Sequence, residues 1–491
     1  MKKEQRQKEK NGLRQNRGTG SAVSLFAVGL LLMFIMPWMV YSGGAGAAWI
    51  AIGSFAGVLL VWQMASYRLM RFSLQHKDQA TIPGFFSSRF QEKRPVLRIF
   101  FSVILLPILI LTAGMLLYGI SDFAATLFGI SRLYTTLGIF FISTGFLLLL
   151  GRGGLRLAER WIAILVLVSL ILIDYSVIRV LGTRHALENI FHSWAAGSVT
   201  EYVNVGYMSG KALSVQEIIS LFSIGFLILG NPLVLQRFQF ADRARTIHRS
   251  RRWAIIFSLF SLFLSVLTGG LLRAALYPAK ISNIRMLYKT ILTEDKGRGF
   301  LFLLAGMIFV VAAGLMVLEL FHSTVLSATE ILHSDVFPLK KHRKKMILGS
   351  KGIVILAGII VETLVFALAL CSGDWIYRIT WDAYLVLACG LAPVMYLALR
   401  SSRTTVRACL LGFSVGAVFV GVWEFSAFIP QGTEFLTLRE ITGISGIIPA
   451  MLMGFFFGLL GIRTSKPPTQ EVVTAYEEVQ FRLVSSGEKK K

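Results

Sequence analysis

Apolar stretches about one bilayer long recur along this chain, each closed by a short polar or charged break. They lie roughly at 21–41, 46–67, 99–119, 133–151, 161–178, 214–236, 253–276, 299–326, 352–371, 379–399, 406–425 and 442–462. About 20 apolar residues in a helix cross the hydrocarbon core, and a helix satisfies its own backbone there. The pattern therefore predicts an all-α integral membrane protein with about 12 transmembrane helices. Residues 1–20 read as a basic arm and 21–465 as the transmembrane domain, with 466–491 as a polar tail. The arm is longer than the charged region of a secretory signal, and no small-residue cleavage site follows it, so it is read as retained.

Composition agrees with a membrane protein. Hydrophobic residues make up 55% of the 491 and charged residues only 15%, more apolar surface than a soluble fold could bury. The net charge of +24 would suggest nucleic acid in a soluble chain, but its distribution decides otherwise. With the N-terminus inside, 38 of the 50 Lys and Arg fall in 1–20, 68–98, 152–160, 237–252, 338–351, 400–407 and 463–491. That bias is a topology signal and predicts a multi-pass plasma-membrane protein with both termini cytoplasmic and no nucleic-acid partner. The stretch 237–252, rich in Arg and aromatic residues, reads as a juxtamembrane anchor meeting anionic lipid heads.

Enzyme chemistry finds no footing. The chain carries no phosphate-cradling glycine loop, H-E-x-x-H or G-x-S-x-G, and Cys371, Cys389 and Cys409 lack metal spacing. Twelve spans joined by short loops favour a secondary transporter. In such folds, interrupted helices in corresponding places of two inverted repeats flank the solute. The first span holds Gly29 and Pro37, and the sixth holds Gly230-Asn231-Pro232, five spans later. This spacing suits a 5+5 inverted repeat, with repeat one about 21–178, repeat two about 214–399 and two extra helices over 406–462.

Several stretches resemble the sodium:solute symporter family, in the right order. The second span carries Trp49-Ile-Ala-Ile-Gly53 and closes on Arg68-Leu69. Thr81-Ile-Pro83-Gly-Phe-Phe-Ser-Ser-Arg89-Phe90 is similar to the family's threonine–proline–aromatic loop ending in Arg-Phe. Gly230-Asn231-Pro232 through Arg237-Phe238 resembles its G-Q-P-x-x-x-x-R-F segment. Gly153-Gly154-Leu155, Gly390-Leu-Ala-Pro393 and Ile447-Ile448-Pro449 through Gly461 also fit. The resemblance implies a LeuT-like core plus two C-terminal helices, and transport by alternating access. It also implies a sodium ion between the first and eighth core helices, with no other cofactor. Ion-site positions then fall at Leu25, Val28, Met316, Glu319 and Leu320, and the family's first-helix aspartate falls at Ala27. Substrate-pathway candidates are Gly29, Trp49, Gly230, Asn231 and Pro232.

The chain departs from the pattern where the ion would sit. Sodium takes hard oxygen ligands, which Leu320 and Ala27 cannot supply, and Gly-Gly-Leu lacks the acidic position that usually follows. A charge at mid-span costs on the order of 3 kcal/mol on insertion scales. Glu319 is therefore either a protonatable coupling group, with His322 on the same helix face, or a carboxyl satisfied by His322 or Ser323. Arg273 and Asp174 read as solvated helix-end residues, and Asp382 as paired with Arg378. In the outer loop 179–213, His185-Ala-Leu-Glu-Asn-Ile-Phe-His192-Ser-Trp194 carries a helical apolar stripe and reads as a surface helix or gate. Metal binding by those histidines is not expected.

The reading is a secondary active transporter of a small organic solute, with sodium or proton as coupling ion. The alternative is a non-transporting membrane sensor or scaffold that kept the fold.

Overall fold

A computed structural model describes residues 23–75, 81–193, 199–239, 247–277, 279, 281–293, 299–336, 350–431 and 434–488. The basic arm 1–20 and part of the 237–252 anchor lie outside the described residues. The first helix, α1 (Val23–Gly43), contains a π turn at Leu31–Ile35 and hands over at Gly44 to α2 (Ala45–Met64). Gly44 has φ +87, and an added Cβ would stand 2.8 Å from the Tyr202 carbonyl, so only glycine makes this turn. Helices α3 (Ser66–Gln75) and α4 (Ile82–Arg89) connect α2 to the next span, and Thr81 caps α4 by accepting from Gly84 N at 3.0 Å.

After α5 (Val96–Phe128), the chain runs as one helix, α6 (Arg132–Ser193). The expected spans 133–151 and 161–178 both belong to it, and Ala158–Gly182 is its stretch long and apolar enough to cross. The predicted break at 152–160 is therefore a correction. Each of Gly151, Gly153 and Gly154 costs a helix only about 1 kcal/mol, and Leu-Arg-Leu-Ala-Glu-Arg after them favours helix. The predicted outer surface helix is likewise the end of α6, beyond a local left-handed turn at Gly182. There His185 pairs with Glu188 at 3.0 Å, while the side chain of His192 and the whole of Trp194 lie outside the described residues.

Helix α7 (Val199–Val203) and the hairpin β1 (Tyr207–Met208) with β2 (Lys211–Ala212) precede the second broken element. This is α8 (Val215–Gly230), whose last turns are 3-10, followed by α9 (Pro232–Gln239) at a 40° bend. Then come α10 (Ile247–Leu276), α11 (Ile284–Thr293), α12 (Gly299–Val336, closing in a π turn), α13 (Ser350–Cys371) and α14 (Trp375–Arg400). Helix α15 (Val406–Phe425), the hairpin β3 (Ala427–Gln431) with β4 (Glu434–Thr437), and the short α16 (Leu438–Thr442) lead to α17 (Ile447–Thr464). The tail forms α18 (Gln470–Glu488), whose Tyr476 packs on Phe72 and Arg89.

Among the described residues, 10 helices can cross a membrane, or 11 if α8 and α9 are one bent span, against about 12 expected. Large apolar side chains such as Val103, Phe141, Trp161 and Phe263 are exposed, as a lipid-facing belt requires. Inside the bundle, close helix contact relies on small residues. A Cβ on Gly53 of α2 would fall 1.9 Å from the Phe222 carbonyl of α8, so these backbones touch.

Candidate functional site

The sixth-span break is built by three residues. Asn231 leaves the helix with φ −71 and ψ 112, and its Oδ1 accepts from Leu233 N at 2.9 Å and Val234 N at 3.4 Å. Asn231 thus caps α9, while Pro232 supplies a first position needing no N–H partner. Gly230 lets α14 approach, since a Cβ there would stand 2.3 Å from the Ala388 carbonyl. Tyr384 of α14 donates to the freed Leu227 carbonyl at 3.2 Å. The first helix breaks less. Its π turn keeps it continuous, and Pro37 sits just past that turn, where its missing N–H is tolerated.

Between α1, α2, α5, α8, α9, α12 and α14 lies a cavity of about 310 Å³. Gly29, Asn231 and Pro232, predicted as pathway residues, line it, as do Ala27 and Leu320. Trp49 does not: its Nε1 donates to the Val205 carbonyl at 3.0 Å, tying α2 to the chain before β1. Gly230 supports the cavity from behind. A wider space of about 410 Å³ toward α16 shares Ile224 and Trp381 with the cavity, so these two side chains stand between them.

Of the positions expected to hold the ion, Leu25 and Val28 are buried on α1, and the Met316 sulfur of α12 lies 3.0 Å from where a Gly29 Cβ would be. Their side chains are apolar or soft, the wrong donors for sodium. One turn on from Met316 the character changes. Glu319 is 3% exposed and accepts from Ser323 Oγ at 3.1 Å. Ser323 in turn accepts from Arg237 Nη2 at 2.5 Å, and Arg237 Nη1 pairs with Glu159 of α6 at 2.5 Å. The guanidinium also lies 4.3 Å from the Phe26 ring centroid. Four elements thus meet on one cluster with two carboxyls and one fixed cation.

His322 shares the helix with Glu319 but turns away from it, its Nδ1 2.8 Å from the Leu318 carbonyl and its ring toward the Ser143 backbone. Beyond it, Glu362 of α13 accepts from Ser143 at 3.1 Å and Thr144 at 2.6 Å. For Glu319 the serine contact is present within the helix, whereas the His322 Nδ1 lies against the Leu318 carbonyl. Sequence reading missed Glu159 and treated Arg237 as a lipid anchor. The signal was the Arg in the Gly-Asn-Pro segment, whose buried acidic partner lies 78 residues earlier.

Two further expectations need correcting. Asp174 is buried, not solvated, and accepts from Thr268 of α10 at 2.7 Å. Arg273 binds the Tyr41 carbonyl and lies over the Tyr41 and Tyr202 rings, so it holds α1 rather than reaching freely into water. Among the described residues no ion pair joins Asp382 to Arg378. The Thr81 loop does have a role: Thr81 Oγ1 donates to Asp335 at 2.6 Å and Arg98 Nε to the same carboxylate at 2.7 Å. Close by, burial lowers the Arg89 guanidinium to about 10, and its donors go to the Ala398 and Ser401 carbonyls.

Residues 19–416 match the sodium:solute symporter family. The chain belongs to that family. The high-affinity proline transporter PutP of Bacillus subtilis (strain 168) is 26% identical over 492 residues, spanning 94% of either chain. The sodium/proline symporter of Escherichia coli (strain K12) is 28% identical over 443 residues, 88% of this chain and 81% of the relative. Among solved structures, a Na+-coupled sialic acid symporter superposes with a TM-score of 0.70 at 15% identity, covering 92% of this chain and 91% of its own. A nucleobase-cation-symport-1 family transporter gives 0.55 at 11% identity, covering 94% and 96%. Both are LeuT-fold proteins, and the transporter has that fold. It is a multi-pass membrane protein and a secondary active transporter, not an enzyme, and the sensor or scaffold alternative is not favoured.

Proposed function

We propose that the transporter moves a small organic solute through the 310 Å³ cavity and couples it to a proton taken up at Glu319. The observation that carries this reading is the cluster of Glu159, Arg237 and Glu319, buried together between α6, α9 and α12. With both acids ionised, Glu159 and Glu319 repel each other beside Arg237, and a low-dielectric site makes that repulsion costly. A proton on Glu319 removes it. Leu320, Met316, Leu25 and Val28 offer little to sodium beyond backbone carbonyls, whereas a carboxyl takes a proton directly. The charged groups facing Glu319 are Arg237 from α9 and Glu159 from α6; the histidine on its own helix faces elsewhere.

The orientation proposed is both termini cytoplasmic in the plasma membrane. Support comes from the basic bias and from the way presumed inner segments meet. Arg89 lies against Tyr476 of α18, and Asp335 against Thr81 and Arg98. Presumed outer segments meet likewise, as Ser445 N donates to Ser220 and Tyr202 to the Val40 carbonyl. Basic inner loops, with the partly described 237–252 among them, would rest on anionic lipid heads.

Reconstitution into proteoliposomes tests the coupling, with proline as the first solute because two relatives bear its name. Uptake should follow an inward proton gradient and ignore a sodium gradient at constant pH. Uptake driven by sodium alone, unchanged in Glu319→Gln, would overturn the reading.

A further inference from the structure

The cavity wall contains, among the described lining residues, no Asp, Glu, Lys, Arg or His. The charged cluster of Glu159, Arg237 and Glu319 stands outside that lining. What faces the solute is mostly Leu, Ile, Met and Phe, with a few polar groups, three of which are already engaged. Thr112 donates back to the Ile108 carbonyl at 2.7 Å, Asn231 spends its oxygen on α9, and Tyr384 donates to Leu227.

Thr380 of α14 differs. It is 3% exposed, lines the cavity, and its Oγ1 has no hydrogen-bond partner among the described residues. A helical threonine ordinarily bonds the carbonyl one turn back, as Thr112 does, so an unpartnered one in a cavity wall is poised for something the cavity holds.

Resting on the transporter reading above, we infer that the solute carries no net charge, has a largely apolar body, and places its hydrogen-bonding pole on Thr380 Oγ1. A net charge would have to leave water for walls that offer it no counter-charge. An uncharged body exchanges water for apolar contact, and its polar end satisfies the threonine.

The test is ligand-induced thermal stabilisation of the purified full chain in detergent, with size-matched probes differing in charge. Proline and leucine serve as net-neutral members, glutamate and lysine as charged ones; uracil against orotate extends the series beyond amino acids. The expected result is stabilisation by a neutral member, with its charged counterpart on the order of a hundredfold weaker. Thr380→Val should weaken that neutral ligand about tenfold, and Thr380→Ser should restore it. Unchanged elution and unliganded melting of both variants exclude misfolding as the cause. Preference for a charged member, or a Val variant that binds as the parent does, overturns the inference. Because this reads binding without any gradient, a failure of proton coupling in vesicles leaves it standing, and a failure here leaves the coupling reading standing.

Discussion

Two buried charge clusters sit on the same helix, α12, sixteen residues or roughly 24 Å apart, and they are composed differently. At the C-terminal end of α12, Asp335 takes Arg98 Nε at 2.7 Å and the Thr81 hydroxyl at 2.6 Å, while Arg98 also donates to the Ser334 carbonyl at 2.7 Å. One acid meets one base, and both oxygens are used. Such a closed set fixes the start of α4 and α5 against the end of α12 and gains nothing from a further ion. Around Glu319 a second acid, Glu159, stands beside the same Arg237, and the two carboxyls repel each other. An acid matched to a base holds helices together, whereas two neighbouring acids change state when one takes up a proton.

Substitutions can break that distinction. Arg237→Gln should have the largest effect, since it removes the guanidinium that pairs with Glu159 and binds the Ser323 hydroxyl that donates to Glu319. Loss of one partner from a buried pair costs about 3–5 kcal/mol, and uptake should fall to background. Thermal unfolding would read the first effect, and adding Glu159→Gln should recover much of the lost stability. Glu319→Gln comes next. The amide mimics the protonated acid, so uptake should no longer rise as external pH is lowered, while melting stays close to that of the parent. A retained pH response in this variant would move the coupling group elsewhere.

Asp335→Asn should cost about 1–3 kcal/mol in denaturant unfolding, because Arg98 and Thr81 lose an ionised acceptor. Its pH profile of uptake should keep the parent's midpoint. A shifted midpoint would mean that the Asp335 cluster titrates in the cycle and that the two clusters are not distinct in kind. The smallest effect is expected from Ser214→Ala at the start of α8. Ser214 Oγ accepts from Glu217 N at 3.2 Å in a capping box, worth about 1 kcal/mol, and uptake should change little.

The broken helices mark how far local signals reach. Gly230-Asn231-Pro232 could be read as an interruption from residue types alone, and the 40° bend lies there. Gly29 and Pro37 suggested the same of the first span, yet that helix stays continuous through a π turn, because Pro37 falls where its missing N–H costs little. The charged stretch 152–160 was expected to separate two spans and lies in a helix, since good helix formers follow its glycines.

Membrane location, helical class, family and the oddity of Glu319 were all present in the sequence by itself. Hydrophobic length and charge bias are summed over many residues and survive local error. Which charges meet was settled only by the tertiary structure. Glu159, Arg237 and Glu319 are separated by 78 and 82 positions, and no periodicity links helices that far apart. The burial of Asp174 and the unpartnered hydroxyl of Thr380 likewise depend on how neighbouring helices are rotated. A span's sequence shows that it crosses; only packing shows which of its faces meets protein, cavity or lipid.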